Sequence, residues 1–424
     1  MNRDRSGAAG EASLRMWLNR MMPADGGVTV ARVLLLATVV TVLVSVTAGQ
    51  VFEGASYLAF AYYPELRRRL AGTLRHPVMP GFLAFAAVIV LGAFYGLASW
   101  HDSMSALIGW RRMLLLPLAL AVFDDAAAKR LLLTVLMVTC VVATLFAFYG
   151  IWAGLPMKGY GVVFGNYTNQ SSIFALVVAG AVAALMCPDA FAGHRLLGDW
   201  RILAAVIALL AADIVIILPG RSGYVDILVM PVVLVTLLSR GAWRVKAAAG
   251  LAVVVGLGMA LAATPHVRQR VMQAVTEIET VDQAAQGSSV SQRVVMWRTT
   301  IGMIRDHPIF GVGTGGFLDG YRPYVQGGGW QGFEASDPHN QYLKILGEQG
   351  VVGLAALLFF IFRVLACPAA TPYRQLAIAA MAAWCATSLA NSHFSTFIEG
   401  RLLFFWLGAM LATQTKGFVR AARV

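Results

Sequence analysis

Long apolar runs recur along the whole chain, separated by short polar joints. A helix needs roughly 20 apolar residues to cross a hydrocarbon core of about 30 Å. That template predicts spans over residues 31–49, 50–63, 78–98, 105–123, 130–153, 171–187, 201–218, 223–239, 247–263, 339–362, 375–392 and 400–415. The second is the poorest match, because it is short, carries Glu53 and ends at Pro64. One stretch breaks the pattern: residues 264–338 are too polar to lie in a bilayer. The expected fold is an all-α polytopic membrane protein with about 12 transmembrane helices and a helical insert between the ninth and tenth. Its parts are an N-terminal segment over 1–30, nine helices over 31–263, the insert over 264–338, three helices over 339–415 and a tail over 416–424. No cleavable signal is expected, because a mostly polar stretch precedes the first span and no small-residue cleavage site follows it.

Composition sharpens this picture. With 58% hydrophobic and 13% charged residues, an ordinary soluble domain is excluded. The 33 Lys and Arg against 21 Asp and Glu leave a net charge of +12. In a soluble chain that surplus would suggest nucleic acid. Here 21 of the 33 basic residues fall in segments on one side of the predicted spans, the side that also holds both chain ends. Basic residues stay inside, so both termini are expected in the cytoplasm of a bacterial inner membrane. The surplus also attracts anionic membrane lipids, and no nucleic-acid partner is expected. The insert then faces the periplasm. Its six arginines nearly balance its seven acids, which suits a structured unit better than a basic tail. The four cysteines, Cys140, Cys187, Cys367 and Cys385, lie in or beside apolar runs with no CxxC, so neither disulfides nor thiolate zinc sites are expected.

Candidate chemistry gathers on the outward side. Residues 289–307 have the spacing of an amphipathic helix, with Ser289 and Gln292 as a capping box and Val294, Trp297, Ile301 and Ile304 at helical intervals. Arg293 and Trp297 are four apart and share a face; the plain alternative is a surface arginine packed on a tryptophan. Gly311 to Gly316 matches GxGxxG, but no strand precedes it, so a re-entrant turn is expected and not a dinucleotide site. In Asp337-Pro338-His339-Asn340-Gln341-Tyr342-Leu343, Asp337 as N-cap and Pro338 at the first helical position would place His339 in the opening turn of the tenth span. The helix dipole there disfavours an imidazolium. A neutral histidine could take a proton from a hydroxyl, or simply hydrogen-bond a neighbouring loop. Glu348, about 14 Å deeper at 1.5 Å per residue, is either a structural tie or a group that supports the site. At the turn Leu218-Pro219-Gly220-Arg221-Ser222-Gly223, the Arg221 guanidinium can fork onto phosphate oxygens or pair with Asp213 or Asp226. Asn169 and Gln170 add neutral donors on the same side. Asp124 and Asp125 face the cytoplasm and are most simply solvated loop acids. No HExxH, Walker A, outward DxD or GxSxG occurs, and no histidine has a ligand partner at metal spacing, so neither a metal nor a cofactor is expected.

Taken together, Arg221-Ser222-Gly223, Arg293 with Trp297, His307-Pro308-Ile309-Phe310-Gly311-Val312-Gly313, and His339-Asn340 with Leu343, Glu348, Gly350 and Gly353-Leu354 resemble the O-antigen ligase family of bacterial inner-membrane glycosyltransferases. The likeness runs from about 160 to 360 and is most specific over 293–354. It implies a twelve-helix enzyme that moves a completed O-antigen glycan from undecaprenyl diphosphate to a sugar hydroxyl of lipid A-core, without metal or nucleotide. On this resemblance His339 is the base, and Arg221 and Arg293 hold the diphosphate, with Arg270 or Arg268 as a further cation. Asn340, Trp297, Tyr342 and Asn169 support them. No flanking pair of carboxylates is evident, so direct displacement with inversion is expected. O-antigen polymerases and O-oligosaccharyltransferases would use the same donor with a different acceptor. A secondary transporter would also suit twelve spans, but it gives no reason for a structured insert and lacks broken helices in matching halves.

Overall fold

The computed structural model describes residues 26–157, 161–218, 220–279 and 287–413. The tail expected over 416–424 and most of the segment expected over 1–30 lie outside the described residues. Among the described residues every regular element is helical and no strand occurs. Helices α1 (Gly26–Val44) and α2 (Val46–Tyr62) pack on each other across a break at Ser45, whose side chain caps the Ala48 amide. Pro64 opens α3 (Pro64–Thr73), where its missing N–H is no loss. Next come α4 (Met79–Gly92), α5 (Trp100–Trp110) and α6 (Leu115–Val122), the last two joined through a 3-10 turn at Arg111–Leu114. Asp125 takes the Ala128 amide at 2.7 Å to cap α7 (Ala126–Trp152). The first part closes with α8 (Tyr167–Met186), α9 (Trp200–Ala212), α10 (Arg221–Leu238) and α11 (Trp243–Ala263). The polar insert supplies α12 (Pro265–Glu279), α13 (Ser289–Asp306) and the short α14 (Phe317–Tyr321). Last are α15 (Gln341–Ala366), α16 (Tyr373–Thr387) and α17 (Phe397–Leu411).

Eight stretches among the described residues are long and apolar enough to cross a membrane: α1, α5 with α6, α7, α8, α9 with the π turn that follows it, α10, α11 and α15. This is a helical membrane protein. The other four spans expected from hydropathy meet shorter helices. α4 has 14 residues, α2 has 17, and α16 and α17 have 15 each. At 1.5 Å per residue, 15 residues reach only about 22 Å, short of a hydrocarbon core of about 30 Å.

α8 and α17 are buried along nearly their whole lengths, whereas α11 buries only Gly250. α10 packs against α8 and α16, α6 against α17, and α4 against α15. Charges inside this bundle are paired. Glu53 of α2 accepts from Arg401 Nε of α17 at 2.6 Å and from the Tyr57 hydroxyl at 2.7 Å, with Arg111 Nε at 3.4 Å. The acid that weakens α2 as a span is thus a tie to α17. Asp124 and Asp125 are not merely solvated: Arg32 reaches both, at 3.3 and 2.5 Å, and Arg69 reaches Asp124 at 3.2 Å.

The insert has its own small core of Met296, Met303, Val312, Phe317, Tyr321 and Ala335. α13 spans almost the predicted range, but its capping box is one residue earlier than expected. Ser288 and Ser291 make the reciprocal bonds, at 3.1 and 2.7 Å. Its buried face is also rotated, since Met296, Thr300 and Met303 are covered while Ile301 is exposed. The glycine turn after α13 is a packing joint. Val312 and Gly313 donate to the Gly347 and Glu348 carbonyls at 2.9 and 2.7 Å, where α15 is interrupted at Gly350. Both Gly311 (φ +67) and Gly350 (φ +63) have left-handed backbone. A Cβ on Gly350 would sit 2.2 Å from the Ile309 carbonyl oxygen, so neither strand of the joint has room for a side chain.

Candidate active site

α15 does not begin where the sequence suggested. Asp337 is not its N-cap, because Asn340 takes that place and accepts the Tyr342 and Leu343 amides at 3.0 and 3.1 Å. Asp337 is engaged elsewhere. One oxygen accepts the Ser392 hydroxyl at 2.6 Å and the His339 amide at 2.7 Å, and the other meets the Lys344 ammonium at 2.9 Å. Burial pushes the Asp337 carboxyl up, but the Lys344 charge and these hydrogen bonds more than reverse it, holding it below the usual carboxylate range. His339 therefore lies just before the helix, not in its first turn. Its backbone is left-handed at φ +50, a conformation that costs energy for a non-glycine residue and persists only where surrounding bonds impose it.

The His339 ring has no hydrogen-bond partner among the described residues. Loss of hydration lowers its pKa from the usual histidine value; Asp337 opposes this, while Arg293 and Lys344 add to it. The imidazole is thus kept in the neutral form that can accept a proton. The same loop is tied to the insert by Trp297, whose indole N–H donates to the Pro338 carbonyl at 2.9 Å.

Arg293, one turn before Trp297 on α13, holds the Ser289 hydroxyl at 2.8 Å and the Ser289 carbonyl at 3.1 Å through one terminal nitrogen. Its Nε is buried with no hydrogen-bond partner. No carboxylate among the described residues pairs with it. Burial and then the nearby Arg221 charge depress its pKa. Arg221 opens α10 with its guanidinium part exposed and 3.9 Å from Glu277 of α12. Neither of the partners considered from the sequence holds it. Asp213 is 3.4 Å from the Gln170 amide, and Asp226 accepts from Ser172 at 2.7 Å.

Arg221, Arg293, Trp297 and His339 all line one cavity of about 960 Å³. Its other walls come from Asn166, Tyr167 and Thr168 at the start of α8, Ser222, Ala274 and Glu277, Val290 and Val294, and Ala390 with Asn391. Asn391 also donates to the Ser222 hydroxyl at 2.8 Å, joining the loop after α16 to α10. Two like charges on the wall of one cavity, one with an unsatisfied donor, make a receptor for an anion.

Other residues singled out in the sequence lie apart from this cavity. Asn169 is buried one turn into α8, and the cavity wall is built by Asn166, Tyr167 and Thr168 before it. Arg268 is exposed on α12 and does not line the cavity. Arg270 belongs to the same helix, but its side chain lies outside the described residues. Asn340 is a cap that also donates to the Leu389 carbonyl at 2.9 Å, and the Tyr342 hydroxyl donates to the Cys385 carbonyl at 2.8 Å, so both shape the loop and do not face the cavity. Glu348 is 3.9 Å from Lys344 and accepts from Gln349 at 3.3 Å. Sequence reasoning missed Glu277, Asn391 and the second role of Asp337. Only Asp337 left a signal, a carboxylate two residues before a histidine and seven before a lysine. Among the described residues no three His, Cys, Asp or Glu side chains gather as a metal set.

Residues 203–358 match the family described as O-Antigen ligase, which supports the resemblance seen in the sequence. The matched segment contains Arg221, Arg293, Trp297 and His339. The match points to glycosyl transfer of the ligase or polymerase type, with lipid-linked glycan and lipid acceptor as that family's general substrates. No curated protein matches the chain.

Proposed function

We propose that this protein is an inner-membrane glycosyltransferase that moves O-antigen polysaccharide from undecaprenyl diphosphate to a sugar hydroxyl of lipid A-core. In this reading twelve helices span the bilayer, both termini are cytoplasmic, and the insert with its cavity faces the periplasm. The observation that carries it is the meeting of two guanidinium groups and a neutral imidazole on one cavity, with Arg293 Nε left without a partner.

Each group has a task in the displacement. Arg221 and Arg293 bind the donor diphosphate, and their charge stabilises it as it leaves. His339 takes the proton from the acceptor hydroxyl as its oxygen attacks the anomeric carbon, giving inversion. Trp297 holds the His339 loop against α13. The two arginines supply the charge that a divalent ion would otherwise bring, so no metal or other cofactor takes part. Arg270 or Arg268, on the helix that carries Ala274 and Glu277 of the cavity wall, is a further cation for the diphosphate. A polymerase or O-oligosaccharyltransferase would share this donor chemistry and differ in the acceptor. The test is reconstitution of purified protein with undecaprenyl-diphosphate glycan in EDTA, offering lipid A-core, a second lipid-linked glycan or a peptide. Transfer to lipid A-core alone is expected. Transfer only to another acceptor would replace the ligase reading, and a requirement for added Mg²⁺ would end the metal-free one.

A further inference from the structure

A second cavity borders the same histidine. It encloses about 440 Å³, and its lining includes Gln292, Phe333, Glu334 and Ser336. Ser289, Arg293 and His339 line both this cavity and the larger one, and so form the partition between them. The size lies within the range of about 300–1,000 Å³ typical of small-ligand sites.

The two compartments differ in chemistry. The larger has two guanidinium groups beside the apolar side chains of Val290, Val294 and Trp297. In the smaller, both carboxylates already hold a cation: Glu334 accepts from Arg322 at 2.8 Å, and Asp337 from Lys344 at 2.9 Å. Apart from Arg293, which it shares with the larger cavity, what remains is uncharged. The side chains of Gln292 and Ser336 have no hydrogen-bond partner among the described residues, and Phe333 offers a ring face. These neutral side chains donate and accept hydrogen bonds without a net preference for an ion, and the one unpaired guanidinium is shared with the larger cavity, where Arg221 joins it.

We infer that the smaller cavity is the acceptor subsite, and that it receives an uncharged pyranose sugar. The inference rests on the transfer reaction proposed above. Inversion requires the nucleophile and the leaving group on opposite sides of the anomeric carbon, and the base must touch the nucleophile. A diphosphate in the larger cavity and an acceptor hydroxyl in the smaller meet this requirement across His339. The hydroxyl gives its proton to the imidazole, its oxygen bonds to the anomeric carbon, and the bond to the diphosphate breaks with its electron pair going to the phosphate oxygen. Gln292 and Ser336 hold ring hydroxyls of the acceptor, and Phe333 packs on its C–H face.

The test uses the full-length protein in nanodiscs, with undecaprenyl-diphosphate glycan and lipid A-core each varied in turn. Gln292→Ala removes one neutral hydrogen bond and should raise the acceptor KM about five- to tenfold while leaving the donor KM within about twofold. Ser336→Trp fills the cavity and should abolish transfer, while titration with undecaprenyl diphosphate and the melting temperature stay as in the wild type. Should Ser336→Trp melt early, Gln292→Ala carries the test alone. An unchanged acceptor KM in Gln292→Ala, or a donor KM that rises equally, overturns the subsite and leaves the transfer reaction standing. Equal use of an acceptor ending in a phosphorylated sugar overturns its preference for an uncharged one. If wild-type protein neither binds undecaprenyl diphosphate nor transfers glycan, the transfer reading itself fails, and that is seen before any variant is made.

Discussion

Glu53 and Arg401 are each 1% exposed and satisfy one another, with Tyr57 and Arg111 closing the set. Arg221 and Arg293 line one cavity, yet a single carboxylate at 3.9 Å is all that reaches either of them among the described residues. Charge removed from water is costly unless paired, so the first cluster is built to be complete within the fold. The second is complete only when something else arrives. That contrast, more than residue type or proximity, separates a tie between helices from a site. It also assigns His339, whose ring makes no hydrogen bond among the described residues, to the second class.

The largest break in the comparison should come from His339. Replacing it with Ala should lower the transfer rate about 10²- to 10⁴-fold, the usual worth of a positioned base. The protein should still accumulate, because the ring supports no other group. His339→Asn is the stricter variant, since asparagine tolerates the left-handed backbone at φ +50. Wild-type glycan ladders on a gel from either variant would remove the base.

Glu53→Ala attacks the other cluster. It strands Arg401 in the bundle and should destabilise the protein by about 3–5 kcal/mol, the cost of breaking a buried pair. Membrane accumulation and melting temperature should fall while turnover per folded molecule is kept. A specific loss of turnover in stable protein would show that the two clusters do not differ as argued.

How far each cluster was legible in the sequence follows from what fixes it. Hydropathy placed the long helices, because a run such as Ala126–Trp152 is set by its own residues. It also predicted a span at Phe397–Leu411, a helix of 15 residues whose burial among its neighbours leaves no mark in hydropathy. The glycines around Gly311 suggested a turn, but not that α15 would open at Gly350 to receive it. Arg221, Arg293 and His339 were conspicuous as polar residues at helix starts on the outward side. The groups around them were not, since Glu277 beside Arg221 and Ser392 on Asp337 come from elements remote in sequence. Those partners also explain the misplaced start of α15: with Asp337 drawn to Ser392 and Lys344, the cap fell to Asn340.

Arg221→Lys and Arg293→Lys refine the account of the unpaired cluster. Lysine keeps the charge but loses the fork that meets two phosphate oxygens. Each should lower transfer about 10²-fold, with Arg293→Lys the more severe because its Nε is buried and unpartnered. Normal rates in one variant would remove that arginine from the diphosphate site.

A pH profile gives a smaller but directional effect. His339 is held below the ordinary histidine pKa, so the neutral base persists as pH falls past about 6.5 and is lost only when pH drops through the lower folded value. Transfer should stay on its plateau at that pH and decline below it. Arg293 contributes to the depression, so the residual activity of Arg293→Gln should show its acid limb at higher pH. A limb that does not move would uncouple the two groups.

The smallest change concerns the one carboxylate that reaches the site. Glu277 lies 3.9 Å from Arg221, with the two side chains 29% and 38% exposed, a geometry in which an ion pair is worth little. Both side chains line the cavity in which the phosphate would bind, so the carboxylate competes with it for the guanidinium. Glu277→Gln keeps the shape and removes the competing charge, so the donor KM should fall, by no more than about fivefold given the weakness of exposed pairs. The acceptor KM should not change. A rise in the donor KM would mean that Glu277 orients Arg221 instead of competing for it, and Arg221 would then belong partly with the completed charges around Glu53.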